Sequence, residues 1–243
     1  MTYEPRVYRH SIRDRDLVSF NVVAKETDLY IRAQTNLKRK AARLVLKHRS
    51  LLEKYIEQHP VFQTSLEPLP LDGNAPRIVQ MMLEAASRAG VGPMAGVAGA
   101  IAELVGTGLT PFSSEIIVEN GGDIYLKTTR QRRVGIYAGK SPLTGKIGLI
   151  ISAEDTPLGI CTSSGTVGHS LSYGTADAVT VLSESTTLAD AAATAIGNSV
   201  KQPHDLSKGI ELAQTISGLK GVIIISGSNL GLWGQVNLCQ MAA

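Results

Sequence analysis

Residues Gly159–Asn198 read G-I-C-T-S-S-G-T-V-G-H-S-L-S-Y-G-T-A-D-A-V-T-V-L-S-E-S-T-T-L-A-D-A-A-A-T-A-I-G-N. Ile160–Thr162 is short and apolar and predicts a strand. Ser163–Gly174 follows as a loop of hydroxyls and glycines, carrying Ser163, Ser164, Thr166, His169, Ser170, Ser172 and Tyr173. Such a loop can bring backbone N–H groups and hydroxyls close to an anionic ligand. Ala178–Leu182 predicts a second, buried strand. Ser185-Thr186-Thr187 then opens a helix of small residues in which Asp190 and Thr194, four apart, share a face. A carboxylate beside a hydroxyl suits a hard cation such as Mg2+, which takes few protein oxygens and completes its shell with water and phosphate. The spacing also has a local explanation. Thr187-x-x-Asp190 is a variant of the capping box, which would commit Asp190 to the N-terminus of its own helix, and Thr194 could be a buried hydroxyl bonded to the preceding turn.

Upstream, Val118–Ile124 reads V-E-N-G-G-D-I. It predicts strands Glu115–Val118 and Asp123–Lys127 around Asn120-Gly121-Gly122, a composition that suits a type I′ hairpin turn. Arg133–Ala138 and Ile147–Ser152 continue an antiparallel series. Gly90-Val91-Gly92-Pro93-Met94-Ala95 satisfies a permissive G-x-G-x-x-A, but a helix precedes it rather than a strand, so it is no dinucleotide fingerprint. A helix of Ala and Gly follows over Met94–Val105. Ala75–Ala89 predicts another helix, with Ile78, Met81, Met82 and Ala85 inward. At the N-terminus Val7–Ile12, Leu17–Ala24 and Leu29–Ala33 read as strands, and Leu37–His59 as an amphipathic helix with its stripe on Leu37, Ala41, Leu44, Val45, Leu51, Leu52, Tyr55 and Ile56. Lys38, Arg39, Lys40, Arg43, Lys47, Arg49 and Lys54 cover its remainder, read as a solvated surface with an anion-binding face as the alternative. Downstream, Leu206–Ile216 predicts a helix, Gly221–Ile225 a strand, and Leu232–Leu238 a final strand or loop. Strand-rich and helix-rich stretches alternate without βαβ regularity, so the fold class is α+β, mostly antiparallel sheets packed with helices. One domain over 1–243 is expected, with a strand-helix lobe at 1–59, a proline-rich loop at 60–76 and a main lobe at 77–243.

The 243 residues are 43% hydrophobic and 19% charged, enough for a sizeable core. Aromatic content is only 5% against 24 glycines, so small residues must do much of the packing. A net charge of +3 is too mild to imply nucleic acid by itself. The two cysteines, Cys161 and Cys239, cannot build a secreted-type disulfide framework. Met1–Asp16 is charged and lacks the apolar core of a signal peptide. Val91–Ala102 is too short and glycine-rich to span a bilayer. The expectation is a cytoplasmic protein with a small-molecule partner, neither nucleic acid nor membrane, and with homo-oligomers allowed.

These motifs carry a resemblance. Thr162-Ser163-Ser164-Gly165 is similar to the T-S-G turn, and Leu188-Ala189-Asp190 with Ala193-Thr194 to the A-D-x-x-A-T helix, of the ApbE superfamily, the flavin transferases that move FMN from FAD onto proteins. Val118–Ile124 resembles that family's N-x-G-G-[DEN]-[IV] turn. Whole-length similarity is better with a cytoplasmic ApbE-like family of no settled function, which shares the G-I-C-T-S-S-G-T-V-G-H-S run. The resemblance implies the ApbE-like fold, Mg2+ on Asp190 and Thr194, and FAD or FMN beside Asn120, Gly121, Gly122, Asp123, Thr162, Ser163, Ser164 and Gly165. The chain departs from ApbE in two places. Ala98 stands where the family has a lysine, and the segment ending in H-x-x-D-P-x-x-G is missing.

Three functions follow as expectations. The first is an enzyme, a Mg2+-dependent transferase acting at the pyrophosphate of a flavin nucleotide. The second is a binding protein that keeps the pocket without the transfer chemistry. The third is a sulfur-handling protein using Cys161 as nucleophile with His169 nearby in sequence; the common alternatives are a buried small hydrophobe for Cys161 and a backbone-bonded loop histidine for His169.

Overall fold

A computed structural model describes residues 16–165 and 174–241. The predicted strand Val7–Ile12 and His169 lie outside them. The chain's main element is an eight-stranded antiparallel sheet in which each strand neighbours the next in sequence, with a single skip. Its strands are β1 (Val18–Ala24), β2 (Thr27–Ala33), β3 (Ile116–Asn120), β4 (Asp123–Lys127), β7 (Leu158–Ser163), β8 (Ala178–Ser183), β9 (Leu219–Ser226) and β10 (Asn229–Gly234). The skipped strands, β5 (Arg132–Gly135) and β6 (Ile147–Ile151), form a second sheet with β11 (Leu238–Gln240). The predicted continuous series therefore breaks at β5. The register explains why sequence does not show this, since β5–β6 is an ordinary antiparallel hairpin that could extend either sheet.

Side-chain alternation along the large sheet separates its two faces. On β7, β8 and β9, Leu158, Ile160, Leu182, Ile223 and Ile225 pack against the small sheet, while Cys161, Val179, Val181, Val222 and Ile224 pack against helices. The helices are α1 (Lys38–Gln58), the short α2 (Val61–Thr64), α3 (Arg77–Ala89), α4 (Val97–Leu109), α5 (Thr186–Ser199) and α6 (Leu206–Thr215). α3 buries Ile78, Met81, Met82 and Ala85 as its periodicity predicts. α1 buries Ala41, Val45 and Leu52, but Leu51 is exposed because it turns past the edge of the stripe. The helical run Pro93–Phe112 is longer than its sequence suggests, 20 residues, and by length and composition could cross a membrane. Here it packs against α1, α5, β3 and β4, with Ala100, Ala102, Val105 and Leu109 buried.

Candidate functional site

The β3–β4 hairpin closes through Gly121 and Gly122 at φ 69° and 113°, both in the left-handed region that glycine enters without strain. This turn is bonded on two sides. The Asn120 amide Nδ2 donates to the Ala98 carbonyl at 3.0 Å, at the start of α4. The Thr162 N–H on β7 donates to the Gly122 carbonyl at 3.3 Å. Cross-strand pairing sets Asp123 opposite Cys161, so the two side chains share the helix-facing side of the sheet.

α5 lies across this side. Thr186, Asp190, Thr194 and Gly197 fall on one face of it by helical spacing. The Cys161 thiol lies 3.3 Å from the Thr186 carbonyl. A Cβ on Gly197 would stand 3.7 Å from Ser163 Oγ, so the stem of the glycine-hydroxyl loop runs beside the same face. The pairing of α4 with α5 is close. A Cβ on Gly99 would lie 2.5 Å from the Thr186 carbonyl oxygen and 2.8 Å from Asp190 Cβ, which only glycine tolerates.

The two helices cap one another. Asp190 Oδ2 accepts from the Gly99 N–H at 2.8 Å, at the N-terminus of α4. Glu103, in the middle of α4, accepts at Oε2 from the Thr187 N–H and hydroxyl, both at 2.9 Å, and from the Ser185 hydroxyl at 3.2 Å, at the N-terminus of α5. Ser185, not Thr187, is the N-cap of α5, its hydroxyl accepting from the Leu188 N–H. The capping-box reading is thereby corrected. Asp190 does serve a helix N-terminus, but that of α4, because its carboxyl points across the crossing rather than back along its own turn. Glu103 takes the place that spacing assigned to Asp190. No local signal identifies such a cap, since donor and acceptor are 91 residues apart.

The electrostatics of this junction are unbalanced. Burial pushes the Asp190 carboxyl up to about 7, against the pull of the Gly99 and Ala98 N–H groups. Asp123 is 8% exposed, and burial, with the Asp190 charge next, raises its carboxyl well above the ordinary range. Cys161 is fully buried; burial first, then the negative charges of Asp123 and Asp190, raise its thiol. That corrects the expectation of a nucleophile: a thiolate here would face two carboxylates, so Cys161 stays a protonated thiol.

The structure therefore brings together Asn120, Gly121, Gly122, Asp123, Cys161, Ser163, Asp190 and Thr194. It turns Thr162 away, its hydroxyl lying 2.9 Å from that of Thr180 on the small-sheet side, because residues 161 and 162 alternate across the strand. Ser164 and Gly165 begin the loop, and the Gly165 N–H donates to the Ala176 carbonyl at 2.9 Å. Glu103 and the N-terminal amides of α4 complete the arrangement.

A family model described as AbpE bacteria matches residues 9–216. A UPF0280 protein of Methanosarcina acetivorans is 42% identical over 87% of this chain and 85% of its own length. A second, from Methanocaldococcus jannaschii, is 40% identical over 88% of this chain and 90% of its own. The chain belongs to the UPF0280 family of ApbE-like proteins. Among solved structures, the flavin transferase ApbE from Vibrio cholerae superposes with a TM-score of 0.58 over 91% of this chain and 97% of its own, at 14% identity. The ApbE protein of Thermotoga maritima gives 0.59 over 88% and 96%, at 13% identity. At such identities the likeness is one of fold. This UPF0280 member thus has the expected α+β architecture, mixed helices and antiparallel sheets matching its ApbE neighbours.

Proposed function

We propose that this UPF0280 protein binds a flavin or other nucleotide-type ligand together with Mg2+ beside Asp190, and acts at the ligand's pyrophosphate. One observation carries the reading. The Asn120–Asp123 turn and Asp190 meet at the N-terminus of α4, with buried Asp123 and half-buried Asp190 forming an acid pair that no Lys or Arg neutralises among the described residues. An uncompensated buried charge is costly, and a divalent cation removes the cost. The donors are hard oxygens, as Mg2+ prefers. Asp190 and Thr194 would hold it, with Asp190 keeping Oδ2 on the Gly99 N–H and its orientation fixed by that bond. When bound, Mg2+ neutralises charge that develops on the pyrophosphate. The residues of this chain position the ligand. The glycine turn allows close backbone approach, and the Ser163 and Ser164 stem offers hydroxyls and N–H groups to phosphate.

A second reading, a binding protein without transfer, is favoured by the replacement of a lysine by Ala98, whose carbonyl is held by Asn120. The sulfur-handling alternative loses its support to the burial of Cys161.

Calorimetric titration of FAD, FMN and ADP with and without Mg2+ tests the proposal. Mg2+ should strengthen binding of one of them, and by linkage that nucleotide should strengthen Mg2+ binding by the same factor. Asp190→Asn should remove this coupling while leaving the α4 cap largely intact, since an amide oxygen still accepts from Gly99. Absence of coupling in the wild type for every nucleotide sinks the reading and leaves Asp190 as a cap alone. Turnover of a nucleotide that couples to Mg2+ distinguishes the enzyme from the binding protein.

A further inference from the structure

We propose that the outer face of α1 is a docking surface for the phosphodiester backbone of a nucleic acid. Residues 38–52 contain Lys38, Arg39, Lys40, Arg43, Lys47 and Arg49 and no acidic residue. Arg49 is bonded to Glu26 and Glu53. The other five form no ion pair among the described residues, and Lys40 lies over the Phe112 ring at 3.9 Å. Five unpaired cations exceed the whole chain's net charge of +3, so the rest of the protein is net negative. The modest total hides a concentrated patch.

Its geometry selects the partner. Arg39, Arg43, Lys47 and Lys54 fall along one exposed line of the helix, separated by roughly 6, 6 and 10 Å at 1.5 Å per residue. α1 is a continuous helix of 21 residues, so the line is stiff. A helix lying in a bilayer surface must offer an apolar face, but the apolar stripe of α1, Ala41, Val45 and Leu52, is already buried in the core. A protein partner would want an apolar or aromatic centre within the patch. Leu46 and Leu51 are exposed, but they flank the basic line on either side. What remains is a row of cations with no apolar centre, which fits a phosphate backbone and reads no base. The patch packs by Leu44 and Lys40 against Gly108 and Phe112, at the opposite end of α4 from Asp190, so it is separate from the candidate site.

The test is fluorescence anisotropy of labelled DNA and RNA duplexes of about 20 base pairs across a salt series. The wild type should bind both without sequence preference and lose roughly 100-fold in affinity between about 50 and 200 mM salt, as about four phosphate contacts require. The Arg39→Glu/Arg43→Glu/Lys47→Glu variant should lose at least about tenfold and flatten the log–log salt slope by about three units. A Gln version of the same triple variant gives the same readout should charge reversal disturb folding. No wild-type binding at low salt, or an unchanged slope in the variants, overturns the proposal. Equal or tighter binding to phosphatidylserine vesicles at matched phosphate, or to polyglutamate, overturns it in favour of a membrane or an acidic protein. Stronger binding of one duplex type assigns the source of the backbone.

Discussion

Two acid clusters, each around one buried carboxylate, sit at opposite ends of the β3–β4 hairpin. At the open end, Glu115 is 1% exposed and meets Arg132, Arg130 and the hydroxyls of Thr128 and Thr129. Asp16 closes the group, bonded to Arg132 at 2.6 and 3.0 Å. Burial alone would raise the Glu115 carboxyl, yet Arg132 and the two threonines leave it below its ordinary value. The bond to Arg132 holds Asp16 at about 2. At the turn end, Asp123 and Asp190 are raised. The first group carries its counter-charge in the chain and is complete as architecture. The second must take a proton or a cation from solution, which is what a binding site does.

The comparison breaks most visibly at Arg132. Arg132→Ala leaves Glu115 and Asp16 with only the exposed Arg130 as counter-charge and should cost about 3 kcal/mol in denaturant unfolding; a loss below about 1 kcal/mol would mean the open-end cluster holds nothing together. Next comes Gly99→Val, where the added side chain meets Thr186 and Asp190. It should cost about 1–3 kcal/mol and, by moving Asp190, weaken any Mg2+-dependent ligand binding. Unchanged stability would show that α4 and α5 do not pack this closely.

The sharpest contrast is one of sign. Asp123→Asn should stabilise the protein by on the order of 1 kcal/mol at pH 8, whereas losses of charge at the other cluster destabilise it. Asp190 holds its proton up to about 7 in the native state, while the unfolded chain releases it near 3.8. The native state then binds more protons between those values, so this group's contribution to stability falls as pH rises from about 4 to 7 and is level above. Asp16 behaves oppositely: its contribution is full above 3.8 and disappears as pH falls toward 2. Thermal unfolding from pH 3 to 8 on the wild type and Asp190→Asn checks this; if the variant keeps the same decline above pH 4, Asp190 is not its source. The smallest effect belongs to Cys161. Cys161→Ala should cost about 1 kcal/mol or less, and native protein should be alkylated at the partly exposed Cys239 but not at Cys161. Rapid native alkylation of Cys161 would reopen it as a reactive thiol.

What sequence could show followed from distance along the chain. Periodicity placed α1 and α3 and, Leu51 apart, their inward residues, and Asn120-Gly121-Gly122 announced a turn whose two positive φ angles are those expected. Elements became legible where cause and effect lie within a few residues. Which helix each cap serves did not, because Glu103 and Asp190 act on N–H groups supplied by a different helix. Nor did the facing of Thr162, because a slip of one residue in strand register reverses every side chain, and register comes from the partner strand. The hairpin of β5 and β6 was visible as strands, but its departure into a second sheet depends on β11, whose short span Leu238–Gln240 resembles any polar loop with one apolar residue.

That late strand has a consequence for biosynthesis. The large sheet can assemble in the order of translation, since nearly every strand finds its partner in the one just made. The small sheet cannot. β5 and β6 emerge from the ribosome well before β11, and the edge of β6 must wait for Leu238–Gln240 before it is covered. An uncovered edge is the part of a sheet most prone to pair with other chains. Until β11 has been made, that edge of β6 is where this sheet is most open to pairing with another chain.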